Sequence, residues 1–131
     1  MPILFDILPP QTVLCLCFLL HVIADFNLQG MLGDLKQREW WQKNYSDPKY
    51  AGDYRVAGTI HALAWAILTF LPFCQSPWYA LAVAVNAPIH YFIDDAKANR
   101  HLISLCEDQT AHLVQIGGTV GLLFVANLLT R

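Results

Sequence analysis

The sequence predicts an all-α fold: a polytopic membrane protein whose single domain, residues 1–131, is an up-and-down bundle of four transmembrane helices. Three observations predict it. Hydrophobic residues make up 56% of the chain and charged residues 14%, a balance far from that of a soluble domain. Asp, Glu, Lys and Arg are absent from three blocks: Ile7 to Ala24, Val56 to Ile93 and Gln109 to Thr130. None of these blocks carries the polar stripe that a helix of a soluble bundle turns to water.

The first span is expected at residues 8–26. No basic residue precedes its apolar run, no small-residue cleavage site follows, and it ends in His21 and Asp25, so it reads as a retained helix rather than a signal peptide. The second block is too long for one crossing. "LPFCQSPW" at 71–78 interrupts it with Pro72 and Pro77, which predicts helices at 56–73 and 78–93 joined by a tight turn. The fourth span is expected at 109–129. Each approaches the ~20 apolar residues that a hydrocarbon core of about 30 Å requires, the middle two being the shortest.

The loops 27–55 and 94–108 carry Lys36, Arg38, Lys43, Lys49, Arg55, Lys97 and Arg100, while the opposite face has only Arg131. By the positive-inside rule both loops are cytoplasmic and both termini lie on the other side. The net charge is −2 and the basic residues hug the membrane edge rather than forming a stripe, which excludes nucleic acid as a partner. Trp40 and Trp41 in "EWWQKNY" fit interfacial anchoring. Cys15, Cys17, Cys74 and Cys106 are scattered, and a two-residue offset turns Cys15 and Cys17 apart on a helix, so they read as small apolar side chains. Pro88 should bend the third span, Asn86 could orient a ligand or join Gln115 in tying helices together, and Gly117 and Gly118 suit close packing. His101, beside Arg100, reads as a solvated loop residue.

Within this apolar chain one pairing recurs. "HVIAD" at 21–25 and "HYFID" at 90–94 are His-x-x-x-Asp, the latter followed by Asp95, and "DQTAH" at 108–112 is the reverse. Positions i and i+4 share a helix face, so each pair aims an imidazole and a carboxylate at one region of space. In an up-and-down bundle His21, Asp25, His61, His90, Asp94, Asp108 and His112 all fall at one depth, near the cytoplasmic surface. Ionisable groups inside a span are costly, about 2.5–3.5 kcal/mol for Asp at the helix centre, so a cluster drawn from all four helices calls for a function.

Imidazole and carboxylate are ligands of divalent zinc, manganese or iron, and this set exceeds the four that one tetrahedral ion needs. One or two ions are expected, with Asp108 or Asp95 as a general base. An ion so placed activates water for attack on a carbonyl or phosphoryl centre. At headgroup depth the substrate class is a membrane lipid or lipid-linked ester or phosphoester.

The ordered segments "HVIADFNLQ" (21–29), "IHALAWAIL" (60–68), "NAPIHYFIDDAK" (86–97) and "EDQTAHL" (107–113) together resemble a family of small bacterial and phage inner-membrane proteins, domain-of-unknown-function family 3307. The resemblance covers nearly the whole chain, and this family is similar in pattern to membrane-embedded metal-dependent hydrolases. It implies a bacterial inner membrane with periplasmic termini. Its motif positions fall on His21, Asp25, Gln29, His61, Asn86, His90, Asp94, Lys97, Asp108, Gln109 and His112, which adds Gln29, Lys97 and Gln109 as site neighbours. Residues 31–55 exceed the first loop expected of the shortest members.

The functional expectation is therefore a metal-dependent membrane hydrolase. A non-enzymatic ion-binding or ion-translocating protein is the first alternative, although "TVLCLCFLL" and "GLLFVANLL" offer a path across one monomer almost no polar group and would require a homo-oligomer. The other is a small membrane-interaction protein whose metal clamps the helices.

Overall fold

A computed structural model describes residues 7–130; Arg131, counted above in the charge asymmetry, lies outside them. The described residues are helical throughout, without a strand. Helix α1, Pro10–Val22, starts on Pro9 and Pro10, whose fixed φ and missing N–H suit a first turn. It widens into a π-helical turn, Ile23–Asn27, where the Leu28 N–H donates to the Ile23 carbonyl at 2.8 Å. Two short helices follow, α2 (Leu32–Leu35) and α3 (Arg38–Asn44), with a 3-10 turn at Pro48–Tyr50. The segment expected as loop 27–55 is thus largely structured.

The long helices are α4 (Asp53–Thr69), α5 (Tyr79–Ala98) and α6 (Leu105–Leu129). The break between α4 and α5 falls where the two prolines place it, with Pro72 inside a 3-10 turn, Leu71–Phe73. Helix α5 continues through Pro88. The expected end at Ile93 and the expected loop 94–108 are corrected: α5 runs to Ala98, α6 starts at Leu105, and only residues 99–104 connect them. The physical reason is a capping box. Ser104 Oγ accepts from the Glu107 N–H at 3.3 Å, and the Glu107 carboxylate accepts from the Ser104 N–H at 2.8 Å, which starts the helix there. His101, at φ 53°, makes the reversal.

Helix α4 packs most extensively on α5, α5 on α6, and α1 on both α4 and α6, while α2 lies against α4. The four long helices thus close a ring. Trp65, Phe70, Phe73, Val13, Cys17, Ile116, Val120 and Leu123 fill its apolar part. The other end of the interior is polar: His21, Asp25, His61, His90, Asp94, Asp108 and His112 are all buried. The outside is the reverse, with Leu19, Ile60, Leu63, Leu81, Val85, Phe92, Leu122 and Val125 exposed. Two helices among the described residues are long and apolar enough to cross a membrane, Pro10–Asn27 and Leu105–Leu129. Helices α4 and α5, expected as the second and third spans, do not meet that measure: α4 is 17 residues long, and α5 carries Asn86, His90, Asp94 and Asp95.

Candidate metal centre

Each of the four long helices delivers its acidic or imidazole groups to the same region of the interior. His21 ends α1, and Asp25 follows on the π turn; His61 lies at the middle of α4; His90 and Asp94 lie in the second half of α5; Asp108 and His112 open α6. The wider π turn re-aims Asp25, whose Oδ2 stands 3.8 Å from His21 Nδ1, toward α4 and α5. The i, i+4 pairs on α5 and α6 keep 3.6 Å between His90 Nε2 and Asp94 Oδ2, and between His112 Nε2 and Asp108 Oδ1.

Four ligand atoms enclose one point. His61 Nε2 lies 3.2 Å from Asp25 Oδ1, 3.3 Å from Asp94 Oδ2 and 3.2 Å from His90 Nε2. His90 Nε2 lies 3.5 Å from Asp25 Oδ1 and 3.6 Å from Asp94 Oδ2. These are five edges of a tetrahedron. Bonds of about 2.0–2.1 Å to a tetrahedral ion put its ligands about 3.3–3.4 Å apart, so the donor set fits a divalent metal in both chemistry and spacing. Asp94, Asp108 and His112 form a second group with ligand spacing; Asp94 faces the first group with Oδ2 and His112 Nε2 with Oδ1, at 3.3 Å.

Charge points the same way. Asp94 pairs with Lys36 at 2.5 Å and Asp108 with Lys97 at 2.6 Å. Asp25 meets imidazoles and, at 3.4 Å, the Gln109 amide, but among the described residues no lysine or arginine. Its Oδ1 is buried without a hydrogen-bond partner, as is Asp108 Oδ1. With neutral imidazoles the cluster therefore holds one carboxylate more than its lysines can balance, at the vertex nearest both His61 and His90.

The imidazoles also constrain one another. His90 Nδ1 and His112 Nδ1 are 3.2 Å apart, a contact that one shared proton satisfies and two would not. If His90 carries that proton its Nε2 is bare toward the tetrahedron, and His112 then bears its proton on Nε2, toward Asp94 and Asp108. Trp65 stacks on His90 at 3.9 Å and 10° and donates its N–H to His21 Nδ1 at 2.8 Å. That bond puts the His21 proton on Nε2, where Gln109 Oε1 accepts it at 3.1 Å. His21 thus has both nitrogens engaged away from the ligand tetrahedron.

Of the other expected residues, Lys97 and Gln109 meet the cluster; Gln109 links His21, Asp25 and Asp108. Gln29 caps the π turn, donating to the Asp25 carbonyl at 2.9 Å. Asn86 ties α5 to α6 through Gln115 and Thr119. Asp95 turns outward, accepting from Arg100 at 2.8 Å and Asn99 at 3.0 Å. His101 is exposed and faces Glu39. The cysteines are free thiols outside the ligand groups. Sequence reasoning missed Lys36 and Trp65. Trp65 was legible, since it lies four residues after His61 and so shares its face; nothing local distinguishes Lys36 from its basic neighbours.

Residues 13–127 match the family described as protein of unknown function, DUF3307, and the chain belongs to that family. No curated protein and no solved structure matches it.

Removing the Lys36 ammonium leaves a buried carboxylate without its counter-charge. Lys36→Met should cost about 3–5 kcal/mol of stability in metal-free protein, measured by denaturant unfolding in detergent beside wild type.

Proposed function

We propose that this member of the family is an integral membrane metalloprotein, a metal-dependent hydrolase acting at the cytoplasmic face on a lipid-linked ester or phosphoester. The observation that carries the reading is the tetrahedron of Asp25, His61, His90 and Asp94, whose Asp25 meets no lysine or arginine among the described residues. The apolar exterior and polar interior favour lipid as the surroundings, with α4 and α5 crossing beside the two longer apolar helices. The basic residues of the connecting segments favour a cytoplasmic position for the cluster, and a bacterial inner membrane is the setting that the family resemblance implies.

A divalent ion supplies Lewis acidity when bound. The rest falls to the chain's own groups. Asp25, His61, His90 and Asp94 would hold the ion, and Lys36 bonds Oδ2 of Asp94, the oxygen that faces His61 and His90. Trp65 keeps the His90 ring in plane and excludes water from that side. His112, set between the Asp94 and Asp108 carboxylates at 3.3 and 3.6 Å, holds a proton that Asp108 can receive or return, and Lys97 and Gln109 keep the far oxygen of Asp108 occupied. A second ion at Asp94, Asp108 and His112 would require the Nε2 proton of His112 to leave.

One observation favours a second reading. Four protein ligands complete a tetrahedral shell, as in sites that only fasten a fold, whereas hydrolysis needs a position open to water. A clamp of that kind would hold three helical segments together without turnover.

Metal content by mass spectrometry on detergent-purified protein tests the proposal. One divalent ion per chain is expected in wild type and in His21→Ala, and loss of it in His61→Ala and His90→Ala without unfolding. No ion in wild type after exposure to zinc, manganese and ferrous iron would overturn it. The orientation has its own test, because Cys74 and Cys106 are exposed at opposite ends of the bundle. In membrane vesicles an impermeant maleimide should reach Cys106 from the cytoplasmic side and Cys74 from the other; labelling of both from one side contradicts the arrangement.

A further inference from the structure

Beside the metal centre three cavities share walls. Arg38, Tyr54 and Arg55 line one of about 300 Å³ and its neighbour of about 360 Å³, which also takes in Tyr91, Phe92 and Arg100. A narrow space of about 10 Å³, bounded like the larger one by Tyr54, Tyr91, Asp95 and Asn99, leads inward to Lys36 and Asp94. Gly58 permits this approach, since a Cβ there would come within 2.9 Å of the Tyr91 ring. On the other side, Tyr91 and Phe92 also wall an apolar groove of about 270 Å³ between α4 and α5, with Leu63, Ala87 and Pro88.

The basin is electropositive and unspent. Its carboxylates are Asp95, already bonded to Arg100 at 2.8 Å, and Asp47, paired with Lys49 at 3.3 Å. The Arg55 guanidinium bonds to the Tyr54 hydroxyl at 3.1 Å and lies over the Tyr54 ring, and it meets no carboxylate among the described residues. Arg38 is anchored by its backbone N–H, which donates to Asn99 Oδ1 at 2.7 Å, while its guanidinium meets no carboxylate among the described residues. Guanidinium groups grip phosphate oxygens through paired, charge-assisted hydrogen bonds.

We propose that this is a phospholipid site: the Arg38–Arg55–Arg100 basin takes a lipid phosphate, and the groove walled by Leu63, Ala87 and Phe92 takes the adjoining acyl chain. A free phosphate would use the basin alone. The adjoining groove, across Tyr91 and Phe92 from the basin and opening on the exposed apolar faces of α4 and α5, is what selects a lipid. The site rests on the membrane reading given above and names its substrate class as a phosphate-bearing lipid; it does not depend on the ion.

Native mass spectrometry of the detergent-solubilised full chain with phosphatidic acid, with diacylglycerol of the same acyl chains, and with inorganic phosphate tests it. Phosphatidic acid should be retained over diacylglycerol, and Arg38→Gln combined with Arg55→Gln should weaken it about tenfold or more. Ala87→Phe, which fills the groove, should weaken phosphatidic acid but not inorganic phosphate, with circular dichroism confirming that each variant is folded. Equal retention of diacylglycerol, or phosphatidic acid binding unchanged in the arginine variant, overturns the site. Inorganic phosphate binding as tightly as the lipid, with Ala87→Phe silent, overturns the lipid assignment. His61→Ala separates this inference from the hydrolase reading: it should keep phosphatidic acid while losing metal. Wild type that binds the lipid but no metal sinks only the hydrolase reading, and wild type that binds metal but no lipid sinks only this one.

Discussion

Inside a bundle whose outer surface is apolar, the buried carboxylates Asp25, Asp94 and Asp108 share one region with four imidazoles, and among the described residues Lys36 and Lys97 are the lysines that reach them. Such a group of charges is tolerable in low dielectric only when each member is paired or hydrogen-bonded. Much of the architecture at that end serves this requirement. The π turn after α1 brings Asp25 to His61 and His90, the short helix α2 carries Lys36 inward to Asp94, and the Ser104 cap starts α6 early enough for Asp108 to meet Lys97.

The remaining imbalance sits on Asp25, and it connects fold to function. A cation at the centre of the ligand tetrahedron would balance the carboxylate, use its unpartnered oxygen and draw three helical segments together. The side chains around it are held by contacts of their own. Trp65 stacks on one imidazole while donating to another, and Gln109 bonds to two of the three carboxylates and to His21. This second layer of contacts fixes ring orientations and proton positions, which a loosely held cluster could not do.

How much of this was legible in the sequence follows from what is local. The charge-free blocks, the prolines at 72 and 77 and the i, i+4 spacing of His and Asp depend on nearby residues, so they gave the helical order and brought the right groups to one end. The Ser-x-x-Glu cap at 104–107 was equally local, and overlooking it put the start of α6 four residues late. The fate of His21 was not readable, because its pairing with Asp25 looks like the others until the π turn and the Trp65 N–H intervene. Lys36 and the two faces of Asp94 depend on contacts between distant segments. Asp95 illustrates the same limit: adjacent to Asp94 in sequence, it points out to Arg100 because successive helix positions diverge.

X-ray absorption at the zinc edge of zinc-loaded, detergent-purified protein measures the central claim directly. The account predicts four light-atom neighbours at about 2.0–2.1 Å, with the outer-shell scattering of two imidazole rings. A sulfur shell near about 2.3 Å, or a spectrum without imidazole scattering, would contradict it.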